Sequence, residues 1–264
     1  MDKALINGTG IAYKVERTGA TAPWLVFSNS LITDHSIWDA QAAEFGKRFN
    51  LLRYDQRGHG QSDIPNTPLN FDTLGADLLA LMDTVGIHTV TAVGLSMGVP
   101  TVFSAYNVAP DRFDGLILMD GQAASAVNAF DTWQTRIDTA KANGMEAFGK
   151  ATASRWLMPE SHADKLDRLA NMIAATDFSG FKACAGALQG YDYRHVLAAC
   201  RVPVLALAGA NDGAMPETME RYCREIANAE FHAIENSGHV PCYEQASAVN
   251  DAIAAFLEKR GARS

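Results

Sequence analysis

Short, continuous runs of apolar residues recur along the chain, and each run ends at a loop. They are Trp24–Ser28, Asn50–Tyr54, Val90–Val93, Leu116–Met119, Val202–Ala208 and Glu230–Ile234. Runs of this length are typical of strands that are covered on both faces, as in a parallel sheet. Segments with helical periodicity, such as Thr73–Val85 and Val249–Leu257, lie between or after them. This alternation predicts an α/β fold with a doubly wound, mostly parallel sheet.

The two remaining parts of the chain follow different patterns. Near the start, Ala4–Ile6 and Ile11–Val15 flank Asn7-Gly8, which predicts a β-hairpin. Between Gly121 and Cys200 we find no convincing strand, and helices are expected over Phe130–Ala142, Glu146–Leu157, Ala163–Thr176 and Gly180–Gln189. We interpret residues 1–121 and 201–264 as an α/β core and residues 122–200 as an inserted helical cap.

Composition excludes several classes of partner. The net charge of −8 disfavours binding to the phosphate backbone of a nucleic acid. No run approaches the ~20 apolar residues that span a bilayer, and the polar start predicts no signal peptide. The four cysteines form neither a CxxC pair nor a metal-binding pattern, so we expect reduced thiols, no metal and a cytoplasmic location.

The sequence Gly94-Leu95-Ser96-Met97-Gly98 is the most informative short motif. It is a G-x-S-x-G pattern directly after a predicted strand and directly before a helical segment. A serine on such a tight turn is exposed at the carboxyl edge of the sheet, and the flanking glycines let neighbouring backbone pass close by. The motif predicts that Ser96 is a nucleophile.

A serine nucleophile needs a base, and the base needs an orienting acid. Asp212 follows the apolar run Val202–Ala208, and His239 follows the run Glu230–Ile234. Their order after Ser96 is the order that this type of sheet uses, so we predict a Ser96–Asp212–His239 triad. Asp120 also follows a strand and is the rival acid.

Two backbone N–H groups are expected to stabilise an oxyanion. One is that of Met97, the residue after the nucleophile. The other lies in the loop after Trp24–Ser28, where the sequence Ser28-Asn29-Ser30-Leu31 makes Leu31 the predicted donor. Ser30 in the same loop is a candidate substrate contact.

Longer segments resemble the 3-oxoadipate enol-lactonases of the α/β-hydrolase superfamily. The similar segments are FSNSLITDHSIWDAQ (27–41), LLRYDQRGHGQSD (51–63), ADLLALMDTVGI (76–87), VGLSMG (93–98), WQTRIDTAKANGMEAF (133–148) and RWLMPE (155–160). The resemblance implies the α/β-hydrolase fold and cofactor-free hydrolysis of an enol-lactone in aromatic catabolism. It assigns nucleophile, acid and base to Ser96, Asp212 and His239. It assigns the oxyanion donors to Leu31 and Met97, and it implies that His59 in the Arg57–Gly60 turn is architectural.

Three departures from the family concern the substrate. Val99 and Pro100 stand where a second glycine and its neighbour are expected, and Met119–Gln122 differs from the usual strand exit. Pro100 is tolerated only in the first turn of a helix, because it lacks an N–H group. The second half of the cap, 163–194, matches weakly, so the substrate could differ.

The cap offers candidate substrate contacts. A lactone that bears a carboxylate needs a cation in its pocket, and a guanidinium can hold a carboxylate with two parallel bonds. Arg136 and Arg155 are the candidates, and the alternative is that each is solvated on a helix surface. Three tryptophans could form pocket walls or belong to the packed core: Trp38, Trp133 and Trp156.

The predicted function is therefore opening of a small-molecule lactone through an acyl-enzyme. Three alternatives stay open: a carboxylesterase or C–C bond hydrolase with the same triad, a haloperoxidase-like or cofactor-free oxygenase member of the fold, and a small-molecule receptor. The oligomeric state does not follow from the sequence.

Overall fold

The computed structural model describes residues 1–261. Their strands form one eight-stranded sheet in the order β1-β2-β4-β3-β5-β6-β7-β8. The bounds are β1 Asp2–Ile6, β2 Thr9–Glu16, β3 Trp24–Ser28, β4 Asn50–Tyr54, β5 Val90–Leu95, β6 Phe113–Met119, β7 Val204–Gly209 and β8 Ala229–Ile234. The pairs β1–β2 and β2–β4 are antiparallel, and all other neighbours are parallel. The predicted α/β fold with a mostly parallel sheet is confirmed.

Burial on both faces explains why the strand sequences are continuously apolar. Every residue of β4, β5 and β7 is buried. Helices cover the sheet, and their bounds are α1 Asp39–Phe45, α2 Phe71–Val85, α3 Gly98–Val108, α4 Ala129–Trp156, α5 Ala163–Ala174, α6 Phe178–Ala187, α7 Arg194–Ala199, α8 Met215–Glu225, α9 Pro241–Glu244 and α10 Ala246–Gly261. Parallel packing of this kind needs apolar residues on both sides of each strand.

Local signals fix several of these boundaries. The side chain of Asn70 caps α2 by accepting the N–H of Thr73 at 2.9 Å, and Gly86 ends the helix at a φ of +79°. In the β1–β2 hairpin, Asn7 and Gly8 both have positive φ, as a type I′ turn requires. The hairpin predicted from Asn-Gly is present, with longer strands than expected.

The segment between β6 and β7 is helical, as predicted. Helix α4 is interrupted at Gly144, whose φ of +79° and ψ of +159° separate the two helical stretches expected there. The short helix α7 was not predicted. The extended structure within this segment is limited to an isolated bridge between Ala124 and Asp192.

The strand order reverses between β3 and β5, because the chain goes from β3 to β4 on one side and to β5 on the other. Open α/β sheets place their ligands at the carboxyl ends of the strands at such a point. Ser96 follows β5 and Leu31 lies after β3, so both flank this position. Within residues 1–261, no helix has the length and apolar character that a membrane span needs.

Candidate active site

The backbone at Ser96 is strained. Ser96 has a φ of +52°, and its N–H donates to the carbonyl of Met119 at 2.8 Å. Gly98 begins α3 directly behind the turn, and a Cβ there would collide with the carbonyl oxygen of Ser28. The glycine therefore allows α3 to approach β3 closely and holds Ser96 at the sheet edge.

The departure from the family pattern after the motif is accommodated locally. Pro100 is the third residue of α3, within the first turn, where its missing N–H has no intrahelical acceptor. The side chain of Val99 occupies the space beside Gly121, where a Cβ on residue 121 would collide with it. The valine side chain at position 99 therefore fits because residue 121 is a glycine.

The predicted triad residues form a continuous hydrogen-bond chain. His239 Nε2 lies 2.9 Å from Ser96 Oγ, and His239 Nδ1 lies 2.6 Å from Asp212 Oδ2. Burial opposes ionisation of Asp212, but the charge and hydrogen bond of His239, together with the charge of Arg155, outweigh it and lower the pKa of Asp212. The ionised acid can orient the imidazole so that Nε2 accepts the serine proton.

Contacts with the end of α4 hold the loop that carries His239. The N–H of His239 donates to the carbonyl of Trp156 at 2.8 Å, and the two rings lie 5.0 Å apart between centroids. A Cβ at Gly238 would collide with the same carbonyl. The imidazole position therefore depends on the segment between β6 and β7.

Two backbone N–H groups without acceptors among the described residues lie beside Ser96, one in the loop after β3 and one in the turn after β5. Within residues 1–261, the N–H groups of Leu31 and Met97 donate to no acceptor, and both residues line the cavity next to Ser96. The adjacent N–H of Ile32, which has a φ of +59°, donates to His59 Nε2 at 2.8 Å. Two unpaired N–H groups beside a nucleophile can bind an oxyanion.

His59 acts as a buried acceptor. Burial lowers the pKa of His59 to about 4, so the ring is neutral at pH 7. Because Nε2 accepts from Ile32, its proton lies on Nδ1, 3.3 Å from the carbonyl of Arg57. The histidine thus holds the loop after β3 in place through Ile32, which fits the architectural role expected of it.

A cavity of about 530 Å³ opens above Ser96. Its described walls come from the loops that follow strands, from α4 and from the stretch between α6 and α7. They include Leu31, Ser96, Met97, Asp120, Gln122, Thr132, Trp133, Arg136, Arg155, Trp156, Leu188, Tyr191, Asp212, Met215 and His239. Within residues 1–261, no group of three or more His, Cys, Asp or Glu side chains is placed to hold a metal ion.

Two arginines of α4 contribute positive charge to the cavity. The Arg136 guanidinium stacks 4.6 Å from the Trp133 ring, and one of its terminal nitrogens, Nη2, is buried without a hydrogen-bond partner among the described residues. Burial, together with the charge of Arg155, lowers the pKa of Arg136 to about 9. Neither arginine forms a salt bridge to a described carboxylate. Within residues 1–261, neither guanidinium is therefore held in an ion pair, although Asp212 lies in the same cavity and its charge acts on Arg155.

The sequence profile of the alpha/beta hydrolase fold family matches residues 23–246. The chain belongs to this family. The hydrolase is 32% identical over 244 residues to 3-oxoadipate enol-lactonase 2 of Acinetobacter baylyi, covering 91% of this chain and 90% of that protein. The enol-lactonase structure from Burkholderia xenovorans LB400 superposes with a TM-score of 0.89 at 32% identity, covering 97% of this chain and all of that one.

A second solved structure is also similar. The malate-bound thermophilic esterase from Thermogutta terrifontis has a TM-score of 0.89 and 26% identity, over 98% of both chains. Together with family membership and the enol-lactonase relatives, this similarity makes the protein an enzyme, a hydrolase that acts on lactone or ester bonds.

Two predicted substrate contacts of this hydrolase do not lie on the cavity wall. Trp38 is fully buried, its ring packs 5.2 Å from that of Phe27, and it belongs to the core. Ser30 is also fully buried, and its hydroxyl has no partner among the described residues. The other four predicted contacts lie on the cavity wall, and all of them belong to α4: Trp133, Arg136, Arg155 and Trp156.

Sequence reasoning missed two groups of residues. Gln122, Thr132, Leu188 and Tyr191 line the cavity but carry no motif that would have marked them. Glu244, five residues after His239, is buried and accepts hydrogen bonds from both sides of the site. The only available signal was a charged residue within an otherwise apolar α9.

Proposed function

We propose that the hydrolase opens the ring of an enol-lactone, 3-oxoadipate enol-lactone or a related lactone, through an acyl-enzyme on Ser96. The observation that carries this proposal is the Ser96–His239–Asp212 chain at the base of a cavity that also holds two arginines without described carboxylate partners. The names of the relatives from Acinetobacter and Burkholderia support the same substrate class. A cofactor-free, cytoplasmic role in aromatic catabolism is part of this proposal.

In the first step, Ser96 Oγ attacks the ring carbonyl while His239 Nε2 takes its proton. Asp212 stabilises the imidazolium through Nδ1, which lies 2.6 Å from Oδ2. The carbonyl oxygen becomes an oxyanion that accepts the N–H groups of Leu31 and Met97. The ring C–O bond then breaks, and His239 returns the proton to the departing enol oxygen.

In the second step, water completes the reaction. The released enol tautomerises to a ketone, still attached through its acyl group to Ser96. His239 takes a proton from water, hydroxide attacks the acyl carbon, and Ser96 leaves as the alcohol with that proton. The products are the ring-opened keto acid and the free enzyme.

Arg136 and Arg155 favour a substrate that carries a carboxylate. An enol-lactone such as the 3-oxoadipate derivative carries a carboxylate outside the ring. Arg136 is held by stacking on Trp133 and keeps a buried nitrogen without a described partner, so a carboxylate would satisfy it. Arg155 reaches the same cavity and adds a second charge.

The experiment compares an anionic lactone with a neutral ester. We expect turnover of 3-oxoadipate enol-lactone, and slower turnover of p-nitrophenyl acetate. Arg136→Ala should raise KM for the lactone by roughly 10- to 100-fold, the range of a hydrogen bond to a charged group, and leave KM for the ester nearly unchanged. Arg201→Ala, at an arginine outside the cavity lining, is the matched control.

Other outcomes of this experiment would contradict the proposed function. Ester cleavage without lactone opening would contradict the lactone assignment and favour a carboxylesterase, as the similarity to the Thermogutta esterase allows. Equal effects of Arg136→Ala on both substrates would contradict the carboxylate site. No turnover of either substrate would contradict the proposed reaction.

A further inference from the structure

Asp120 is a buried carboxyl group that the proposed mechanism does not use. It follows β6 with a φ of +44° and is 1% exposed. Its N–H donates to the carbonyl of Leu207, and its Oδ1 accepts the N–H of Gly209 at 3.0 Å. Both bonds tie it to β7, the strand that leads to Asp212.

The second oxygen of this carboxyl group lacks a donor. Asp120 Oδ2 is buried and has no hydrogen-bond partner among the described residues. Asp120 and Asp212 line the same cavity beside His239, and each affects the pKa of the other. Two neighbouring ionised carboxylates repel each other, whereas one proton between them forms a charge-assisted hydrogen bond.

We propose that Asp120 carries a proton on Oδ2 and donates it to the carboxylate of Asp212, so that a carboxylic acid positions the acid of the triad. The proposal rests on the proposed function, because it assigns Asp212 to that triad. Asp120 is a positioning residue in this arrangement, and it acts on His239 only through Asp212.

The surroundings of the pair favour this protonation. Burial and the charge of Asp212 raise the pKa of Asp120 well above its usual range. Asp212 accepts from His239 and faces Arg155 of α4, which both favour its ionised form. On the other side, Cys242 of α9 is buried, and its pKa is raised by burial and by Asp120, so it supplies no positive charge. The proton therefore belongs to Asp120.

This assignment separates the roles of the two aspartates. Asp212→Asn removes the charge that stabilises the imidazolium and should cost roughly 10⁴-fold in kcat. Asp120→Ala removes only a donor to Asp212 and should cost roughly 10- to 100-fold in kcat, the range of a hydrogen bond to a charged group, with KM little changed. Asp120→Asn keeps a donor and should recover most of that loss.

Activity at high pH gives a further readout. Once Asp120 ionises, a second negative charge lies beside Asp212 and the pair separates. Wild type should therefore lose kcat on an alkaline limb that Asp120→Asn lacks. A residue with a purely structural role would not move this limb.

The test combines infrared spectroscopy with kinetics on the full-length enzyme. At neutral pH, the difference spectrum of wild type minus Asp120→Asn should contain the carbonyl band of a protonated carboxylic acid. Thermal melting of each variant identifies loss of folding. Absence of the band would overturn the proposal, and so would an Asp120→Asn variant as impaired as Asp120→Ala. Neither result would affect the proposed function, which fails if wild type does not open the lactone or if hydrolysis is independent of Ser96.

Discussion

The Glu244 carboxylate accepts the N–H of Gly238 at 2.7 Å, one residue before His239. The same carboxylate accepts the N–H of Met158 at 2.6 Å and the hydroxyl of Ser161, just beyond the end of α4. It also accepts the hydroxyl of Ser237 at 3.2 Å. A single buried acid thus joins the loop that carries His239 to the end of α4, which lines the cavity.

Replacing Glu244 should therefore impair catalysis and stability together. Glu244→Ala leaves several donors unpaired and should lower the free energy of unfolding by about 3–5 kcal/mol. A shift of the His239 loop by about 1 Å would lower kcat by roughly 10²-fold. Urea unfolding and steady-state kinetics measure both effects. Glu235→Ala, an exposed acid in the same loop, is the control, and equal behaviour of the two variants would contradict the assigned role.

His59 makes stability depend on pH in the acid range. Its pKa is about 4 in the folded protein and 6.5 in the unfolded chain, so below pH 6.5 protons bind the unfolded state preferentially. Its contribution is fully present above pH 6.5 and is lost as the pH falls to 4, about 3 kcal/mol in total. His59→Gln should flatten this part of the stability curve, whereas the exposed His88→Gln should not. If the free energy of unfolding varied with pH in the same way for wild type and His59→Gln, the lowered pKa of His59 would be refuted.

The buried pair Arg57–Asp77 should be far more costly to break than a surface pair. Arg57 Nε and Nη2 donate to the two carboxylate oxygens of Asp77 at 2.6 and 2.7 Å. Asp77→Ala leaves a buried guanidinium unpaired and should lower the free energy of unfolding by about 3–5 kcal/mol. In contrast, Glu146→Ala breaks an exposed pair with Lys150 and should leave the urea midpoint unchanged. A small effect of Asp77→Ala would show that the pair is not structurally important.

Gly98 and Gly186 provide a matched test of the turn at Ser96. Gly98→Ala introduces a methyl group against the carbonyl of Ser28 and should destabilise the fold by about 1–3 kcal/mol, with loss of activity. At Gly186 in α6, no atom lies within 4 Å of an added Cβ, so Gly186→Ala should stabilise by about 0.5–1 kcal/mol. Thermal unfolding measures both changes. A neutral Gly98→Ala variant would contradict close packing of α3 on β3.

Much of the site could be predicted from the sequence because residues that directly follow parallel strands lie at the same edge of the sheet. Ser96, Asp212 and His239 each follow a strand, and the carboxyl ends of those strands share one edge, so the three side chains meet. The tolerance of Pro100 could also be judged from helix geometry, whereas the fit of Val99 against Gly121 could not. The predicted oxyanion donors, Leu31 and Met97, could be placed because each lies in the loop that directly follows a strand.

The cavity wall could not be anticipated to the same extent. The sequence alone does not show whether an aromatic side chain such as that of Trp38 or Trp133 faces a cavity or the core. Tyr191 reaches the cavity only because the segment between β6 and β7 folds back over the sheet edge. From the sequence, Glu244 would be expected on the surface, as acidic residues usually are. Its donors at Met158 and Ser161 lie about eighty residues away in sequence, so they could not be predicted.

The most direct test of the central claim is the rate at which wild type and Ser96→Ala open 3-oxoadipate enol-lactone. Loss of a nucleophilic serine should lower kcat by roughly 10⁶-fold while the melting temperature stays close to that of wild type. Rapid lactone opening that disappears in Ser96→Ala is the result we expect. Lactone opening that persists in a folded Ser96→Ala variant would contradict a serine mechanism.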